Sequence, residues 1–294
     1  MTAFFRRPLG LLLSGGGSHG AWQAGCLDSL RAAGLAFDKV FGFSTGALTG
    51  VSYLLGREDA MLERYRSLDE RPILRWEPRL GPHPRFPLSL YSSEPLREAL
   101  EPARDDEEAK RRARCELTVV SYRVRERALD YARFTPGGAA GWDGPLLRRV
   151  LGSCAVPFIF PPVAIETREG RELLVDGGVP AKEPMRFDAL HGCQDVVLLQ
   201  MVRPEERGSW SAWARRGLDQ LGRETCLSLM DRAQASLASA PRPPRVFRVF
   251  PSEVLDYDQL RFRGRECAAA LELGRRDGAA FLRFAVRSKP GVLG

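Results

Sequence analysis

Residues 9–20, which read LGLLLSGGGSHG, are the stretch that decides the fold. Leu9–Leu13 is short and almost entirely apolar, as expected of a strand that is buried on both faces. After the glycines, apolar residues recur at helical spacing as far as Gly34, a typical helix stop. A second strand over Phe37–Phe43 and a second helix over Thr45–Leu55 follow. This alternation predicts an α/β protein with a parallel sheet covered by helices.

The rest of the chain continues this pattern. Further strands are predicted at 116–122, 173–175, 195–202 and 246–250, and long helices at 209–238 and 264–283. Residues 71–95 contain six prolines, which predicts an irregular excursion over the surface. Because no long linker interrupts the pattern, we expect a single catalytic domain over residues 1–294.

The composition limits the class of protein. Lysine and arginine number 44 against 37 acidic residues, giving a formal net charge of +7. The six cysteines are too widely spaced for a zinc motif, and a disulfide scaffold is not expected in so long a chain. No signal-peptide pattern and no apolar run of roughly 18 residues is present. We therefore expect a cytoplasmic protein with reduced thiols, and a net charge of +7 over this length is only weak evidence about partners.

The glycine turn after the first strand permits two interpretations. Gly15, Gly17 and Gly20 satisfy the G-x-G-x-x-G fingerprint of dinucleotide-binding proteins. That fingerprint also requires an acidic residue at the carboxyl end of the second strand, whereas Asp38 stands at its beginning. A nucleotide-dependent oxidoreductase is therefore the weaker interpretation.

The second strand ends in a nucleophile motif. Residues 42–46 read GFSTG and match G-x-S-x-G, in which a sharp turn between strand and helix exposes the serine hydroxyl. A side chain at Gly42 or Gly46 would crowd such a turn. The helix that begins after Ser44 directs its positive end toward any anion formed there. Ser44 is accordingly the candidate nucleophile.

The glycine turn then gains a second role. Backbone N–H groups of Gly15, Gly16, Gly17 and Ser18 would form an oxyanion hole for an intermediate on Ser44, because both turns lie at one sheet edge. Asp176, which follows another apolar strand, is the candidate base. The residues leave two mechanisms open, since Asp176 either acts alone or forms a triad with Ser44 and His191 in the chain order of the α/β-hydrolases.

Four segments that stand in order together resemble the patatin-like phospholipases. They are residues 13–25, the elbow 42–46, residues 153–163 and the triplet Asp176-Gly177-Gly178. Resemblance to that family implies a three-layer α/β/α fold with a mainly parallel central sheet. It also implies a dyad in which Ser44 forms the acyl-enzyme and Asp176, with Gly177 and Gly178 in its loop, is the base. The expected reaction is hydrolysis of a phospholipid or another fatty acyl ester, without a metal or another cofactor. Such a substrate implies peripheral contact with a membrane or micelle surface and no nucleic-acid partner. It also makes the proline-rich residues 71–95 a candidate lid or acyl-chain entrance.

One position departs from the family pattern. The family usually carries Arg or Lys where this chain has His19, and a permanent cation there would contact the oxyanion or a lipid phosphate. His19 is therefore a candidate for that contact with a pH-dependent charge. Two other functions remain open, namely an acyltransferase that uses the same dyad and a catalytically weak lipid-binding or regulatory protein.

Overall fold

The computed structural model describes residues 4–138, 140–167, 170–179, 181–208 and 210–287. Its main sheet contains eight strands within these ranges, in the order β10-β9-β1-β2-β5-β8-β7, with β6 also paired to β5. The strands of this sheet are β1 Leu9–Leu13, β2 Lys39–Phe43, β5 Glu116–Arg123, β6 Ala128–Phe134, β7 Val163–Thr167, β8 Gly170–Asp176, β9 Asp195–Leu199 and β10 Arg245–Val249. Strands β3 Arg75–His83 and β4 Phe86–Ser92 form a separate antiparallel pair.

Helices cover both faces of the sheet. They are α1 Gly20–Ala32, α2 Thr45–Leu55, α3 Glu58–Arg66, α4 Glu94–Ala99, α5 Asp106–Arg112, α6 Leu146–Ser153, α7 Trp210–Arg216, α8 Leu218–Ala238 and α9 Gly264–Arg287. Leu11 and Leu13 of β1 pack on the side of α1, α2 and α9, and Leu12 packs on the side of α8. In the part of the chain that is described, no helix is long and apolar enough to cross a membrane.

The predicted fold class is confirmed. Strands β10, β9, β1, β2 and β5 are parallel to one another, and β9, β1 and β2 form the buried centre of the sheet. Strands β6, β7 and β8 are antiparallel to the strands they pair with, so the sheet is mixed at one side. The second strand begins at Lys39 instead of Phe37.

The predicted long helix over 209–238 is interrupted. Helix α7 ends at Arg216, and α8 begins at Leu218 after Gly217, whose φ is +51°. Glycine adopts this left-handed conformation without steric cost, which allows the chain to change direction between the two helices.

The prediction that residues 71–95 form an irregular excursion is wrong, because most of these residues form two paired strands. Strands β3 and β4 pair as an irregular hairpin, with Trp76 opposite Tyr91 and Leu80 opposite Leu88. Prolines are tolerated on both strands because the pair is separate from the main sheet and only part of each strand is hydrogen-bonded to a neighbour. Proline spacing alone therefore did not reveal these strands.

Candidate active site

Ser44 follows β2 and Asp176 is the last residue of β8, and both strands pair with the same edge of β5. Strand β6 occupies one edge of β5 from Leu117 to Arg123, which leaves the other edge to β2 and β8. On that edge Phe43 of β2 lies opposite Val120, and Asp176 of β8 lies opposite Ser121. Because β2 and β8 approach from opposite directions, their carboxyl ends adjoin. Ser44, the residue after β2, therefore comes next to Asp176.

Ser44 occupies a strained turn between β2 and α2. Its backbone angles are φ +54° and ψ −132°, a conformation that is unfavourable for a residue with a side chain. The turn holds because neither neighbouring glycine has room for a Cβ atom. At Gly42 such an atom would lie 2.5 Å from the carbonyl oxygen of Gly46, and at Gly46 it would lie 2.2 Å from that of Leu13. The G-x-S-x-G spacing thus reflects close backbone packing against the end of β1.

The carboxyl end of α6 also holds this turn. The backbone N–H of Ser44 donates to Ser153 Oγ at 3.0 Å, and Ser153 Oγ donates to the carbonyl oxygen of Val120. The thiol of Cys154 donates to the carbonyl oxygen of Ser44 at 3.1 Å. Ala155 accepts the N–H of Asp176 at 3.0 Å. The small residues at 153–155 therefore position both Ser44 and Asp176, a role that their sequence pattern did not indicate.

The Asp176 carboxyl is buried and has one vacant oxygen. Oδ1 accepts the N–H of Gly178 at 2.8 Å, whereas Oδ2 has no hydrogen-bond partner among the described residues. Burial raises the pKa of this carboxyl from 3.8 to about 6, although the nearby Ser44 hydroxyl and the Gly178 N–H partly counter that effect. The hydroxyl and carboxylate are thus adjacent without a well-formed hydrogen bond. Such looseness is common before substrate binds.

The glycine turn after β1 lies against the candidate nucleophile. A Cβ atom on Gly15 would lie 3.0 Å from the Cβ atom of Ser44, so only glycine permits this approach. In the described structure, the N–H groups of Gly15, Gly16 and Gly17 donate no hydrogen bond. Ser18 differs, because its N–H donates to the carbonyl oxygen of Gln259 at 2.7 Å. This contact corrects the expectation that Ser18 is a fourth oxyanion donor.

A cavity of about 540 Å³ begins at these groups. Ser44, Asp176 and the glycine turn line its polar end. Its remaining wall is mostly apolar and includes Leu48, Met61, Leu68, Ile73, Leu100 and Phe160. A cavity of this size and lining accommodates an elongated apolar group. The reactive groups and the apolar space therefore belong to one site.

The sequence model of the family described as patatin-like phospholipase matches residues 11–186, which are more than half of the chain. The chain belongs to the patatin-like phospholipase family. At the level of the family, it is therefore placed among the lipid hydrolases. Ser44, Asp176 and the glycine turn Gly15–Gly17 all lie within the matched range.

Three known proteins are similar to this chain over a longer range than the family model matches. The uncharacterized protein YqhO of Bacillus subtilis is 24% identical over 290 residues, covering 92% of this chain and 97% of YqhO. The structure of VipD from Legionella pneumophila is 14% identical, with a TM-score of 0.48 over 95% of this chain and 67% of VipD. The type III effector ExoU of Pseudomonas aeruginosa is 13% identical, with a TM-score of 0.45 over 97% of this chain. The chain covers 54% of the ExoU structure, about half of its length.

His19, the position where this patatin-like chain departs from the family pattern, faces away from the cavity. Its ring is fully buried and packs edge-on against Tyr257, with Nε2 2.9 Å from the carbonyl oxygen of Tyr257. Burial, reinforced by Arg223, lowers the pKa of His19 to about 3. The ring is therefore neutral near pH 7. Its position corrects the expectation that His19 contacts an oxyanion or a phosphate.

A buried ion cluster lies next to His19 and contains Arg223, the cation with the largest effect on the pKa of the ring. The Arg223 side chain is fully buried and donates to Asp219 and Glu206 at 2.6 Å each. It also donates to the carbonyl oxygen of Tyr257, which it shares with His19. A second cation at position 19 would lie beside Arg223 in a site with little water. A neutral histidine at position 19 therefore avoids a second positive charge beside Arg223 of α8.

Gln259 is a residue of the site that sequence reasoning missed. The carbonyl oxygen of this residue receives the Ser18 N–H, and its own N–H donates to Asp219 at 2.9 Å. Its side chain lines the cavity beside Gly16 and Gly222, and Nε2 has no partner among the residues described. Gln259 lies outside the range that the family model matches. No local pattern in the sequence marks it.

His191 lies far from Ser44. Its carbonyl oxygen accepts Lys39 Nζ at 3.3 Å, and Lys39 is the first residue of β2, whereas Ser44 follows the last. The five residues of β2 span about 15 Å, since a strand rises about 3.3 Å per residue. This geometry does not support the triad alternative.

Proposed function

We propose that this protein is a serine hydrolase that cleaves a fatty acyl ester of a lipid through an acyl-enzyme on Ser44, with Asp176 as the general base. The observation that carries the proposal is the junction of β2 and β8. It combines a serine in a strained turn, a carboxylate with a vacant oxygen, and free backbone donors at one end of an apolar cavity.

Acylation would begin with Asp176 Oδ2 taking the hydroxyl proton of Ser44. Ser44 Oγ then attacks the ester carbonyl carbon, and negative charge develops on the carbonyl oxygen. The N–H groups of Gly15, Gly16 and Gly17 and the start of α2 would stabilise this charge. The bond to the leaving alcohol then breaks, and the alcohol takes the proton held by Asp176.

Deacylation would repeat these steps with water. Asp176 accepts a proton from the attacking water, the ester bond to Ser44 breaks, and Ser44 Oγ recovers the proton as the fatty acid leaves. A pKa of about 6 keeps most of the Asp176 carboxyls ionised near pH 7 and makes the carboxylate a stronger base than an exposed aspartate. Gln259 Nε2, which lies next to Gly222 and has no hydrogen-bond partner among the described residues, would orient the polar part of the ester.

The cavity supports a substrate with a long acyl chain. Many of its apolar residues come from α2, α3, α4 and the segment 156–160, and others come from the loops that follow α3 and α4. We also propose that the whole chain forms one catalytic unit, as expected from the sequence. Gln259 and the cavity residues Asp219 and Leu260 lie beyond residue 186, the end of the family match.

A fluorophosphonate probe tests the nucleophile. The intact protein should be labelled at one serine, and Ser44→Ala should abolish labelling. Ser29→Ala is the matched control, because Ser29 donates to the carbonyl oxygen of Arg275 on α9 and is not part of the cavity lining. Failure of the intact protein to label would contradict the proposal.

A lipid panel tests the reaction. Phospholipids, lysophospholipids, galactolipids and triacylglycerols are incubated with the intact protein and with Ser44→Ala, and released fatty acid is measured. Release that depends on Ser44 supports hydrolysis. If instead the acyl group appears on an added alcohol or lysolipid faster than on water, the protein is an acyltransferase with the same dyad. Labelling without turnover on any lipid would indicate a lipid-binding protein.

A further inference from the structure

The hairpin formed by β3 and β4 carries apolar side chains into solvent. Leu80 is 90% exposed, Trp76 63% and Leu88 39%. Leu80 and Leu88 lie directly opposite each other across the strands, so their side chains are neighbours on one face. Single exposed apolar residues are ordinary, but a contiguous group is typical of an interaction surface.

The same hairpin is positively charged. It contains Arg75, Arg79 and Arg85 but a single acidic residue, Glu77, and all three arginines are exposed. Arg75 and Arg79 both pair with Glu77, so two guanidiniums share one carboxylate. The guanidinium of Arg85 donates to the hydroxyl of Tyr122 at 3.5 Å and forms no ion pair with a residue that the structure describes. Basic and apolar groups side by side match the headgroups and the acyl boundary of an anionic lipid surface.

The hairpin is attached to walls of the catalytic cavity. The N–H groups of Leu90 and Tyr91 donate to the carbonyl oxygens of Phe158 and Ile159 at 3.0 and 2.9 Å. Val156, Pro157 and Phe160 of that segment line the cavity, as do Leu96 and Ala99 of α4, which follows β4. A surface that docks through the hairpin would thus be held near the cavity.

Phe158 extends the apolar group. Its ring is 50% exposed although its backbone φ is +66°, a conformation that is strained for a residue of this size. The hydrogen bonds from β4 hold Phe158 in this conformation. Strain retained at a surface aromatic residue points to a contact outside the molecule.

We propose that Trp76, Leu80, Leu88 and Phe158, with the three hairpin arginines, form a docking surface for anionic phospholipid membranes. This set is called the hairpin patch. The proposal rests on the proposed lipid hydrolase function, because docking there would place the cavity beside the lipid that it hydrolyses. The leucines and aromatic rings enter the interface, and the arginines contact lipid phosphates.

Vesicle sedimentation tests the patch. The intact protein should bind vesicles of phosphatidylcholine with 20% phosphatidylserine more tightly than pure phosphatidylcholine, with affinity that falls as salt rises. The double variant Leu80→Ser, Leu88→Ser should bind the anionic vesicles at least tenfold more weakly. The matched control is Val254→Ser, because Val254 is 42% exposed and lies outside the hairpin. Equal binding by the double variant, or no binding by the intact protein, would overturn the proposal.

Tryptophan fluorescence provides a second measurement that uses a mild substitution. Brominated phospholipids in the anionic vesicles should quench part of the emission of the intact protein. Trp76→Phe should lose most of that quenching while retaining vesicle binding within about threefold. Quenching that is unchanged in Trp76→Phe would show that the hairpin does not enter the lipid.

A soluble short-chain ester separates the two proposals. The Leu80 and Leu88 variant should hydrolyse this ester at the rate of the intact protein while losing at least fivefold of its rate on anionic vesicles. Ser44→Ala should keep its vesicle binding. If Ser44→Ala still hydrolyses the soluble ester, the proposed function fails, and the sedimentation result still decides the patch.

Discussion

Ser153 Oγ accepts the backbone N–H of Ser44 at 3.0 Å, across 109 positions of the chain. The same oxygen donates to Val120 of β5, so one hydroxyl links α6, the strained turn and the central sheet. A positive φ at Ser44 is unfavourable unless surrounding contacts determine it. Ser153 is one of those contacts, and it makes α6 part of the support for the proposed nucleophile.

Ser153→Ala should lower kcat on a soluble ester about tenfold with little change in KM, because a small displacement of the nucleophile slows the reaction strongly. It should also lower the free energy of unfolding by about 1–3 kcal/mol, since a buried N–H loses its acceptor. Steady-state kinetics and urea unfolding measure the two effects.

Ser29→Ala is the control, because Ser29 Oγ donates to the carbonyl oxygen of Arg275 at 2.7 Å away from the cavity. It should lose comparable stability but keep kcat. A kcat that is unchanged in Ser153→Ala would contradict the positioning role.

The rate should depend on the ionisation of Asp176. Its carboxyl must be deprotonated to accept the Ser44 proton, and burial raises its pKa to about 6. We therefore expect kcat/KM for a soluble ester to be constant above about pH 7 and to fall about tenfold per pH unit below pH 6. A pH–rate profile measured between pH 4 and 9 checks this. A profile that remains flat down to pH 4 would mean that Asp176 is not the base or is not buried during the reaction.

Asp176→Asn should abolish hydrolysis and stabilise the protein at neutral pH. Because the pKa is higher in the folded protein than the ordinary value of 3.8, the folded state favours the protonated form. The free energy of unfolding therefore falls as pH rises from about 4 to 6, and the loss remains above pH 6. The asparagine variant lacks this loss, which amounts to at most about 3 kcal/mol.

Urea unfolding at pH 8 and at pH 4 measures this difference. Asp176→Asn should exceed the intact protein in stability at pH 8 and equal it at pH 4. Asp188→Asn is the control, since that side chain is 61% exposed and should show no difference at either pH. Lower stability of Asp176→Asn at pH 8 would contradict the assigned cause of the pKa shift.

Restoring the family's usual cation at position 19 should harm this protein. His19→Lys would bury a charge beside Arg223 and Arg216, which already raise the cost of protonating the ring. We expect a loss of about 3 kcal/mol in the free energy of unfolding. His19→Gln, which can still donate to Tyr257, should lose about 1 kcal/mol. Thermal and urea unfolding compare the two, and a lysine variant at least as stable as the intact protein would refute the argument.

Gln259→Ala should lower kcat/KM about tenfold on a lipid ester. The substitution removes the free amide beside Gly16 but keeps the backbone carbonyl that receives the Ser18 N–H. Loss of one positioned donor typically reduces the rate by this factor or more. Gln234→Ala is the control, because Gln234 is exposed on α8, accepts a hydrogen bond from Arg248 and is not part of the cavity lining. Equal kcat/KM in the two variants would remove Gln259 from the proposed site.

Much of the centre of the molecule was predictable from local patterns. Local sequence determines the backbone conformation in three short segments, namely the apolar run Leu9–Leu13, the glycine turn and the motif Gly42–Gly46. Ser44 lies at the end of β2 and the start of α2 for this reason. The direction of β8 was not predictable, because an apolar run of that length pairs equally well in either direction.

The sequence by itself determined the α/β class, the patatin-like pattern and the candidate residues Ser44 and Asp176, because their signals are short and local. Tertiary structure alone decided that the β3–β4 hairpin forms, that His19 and Ser18 hold the segment 257–259, and that Ser153 supports Ser44. Each of these outcomes depends on which distant residues meet. Packing and hydrogen bonding across the fold decide which distant residues come into contact, and the spacing of residues along the chain does not specify these contacts.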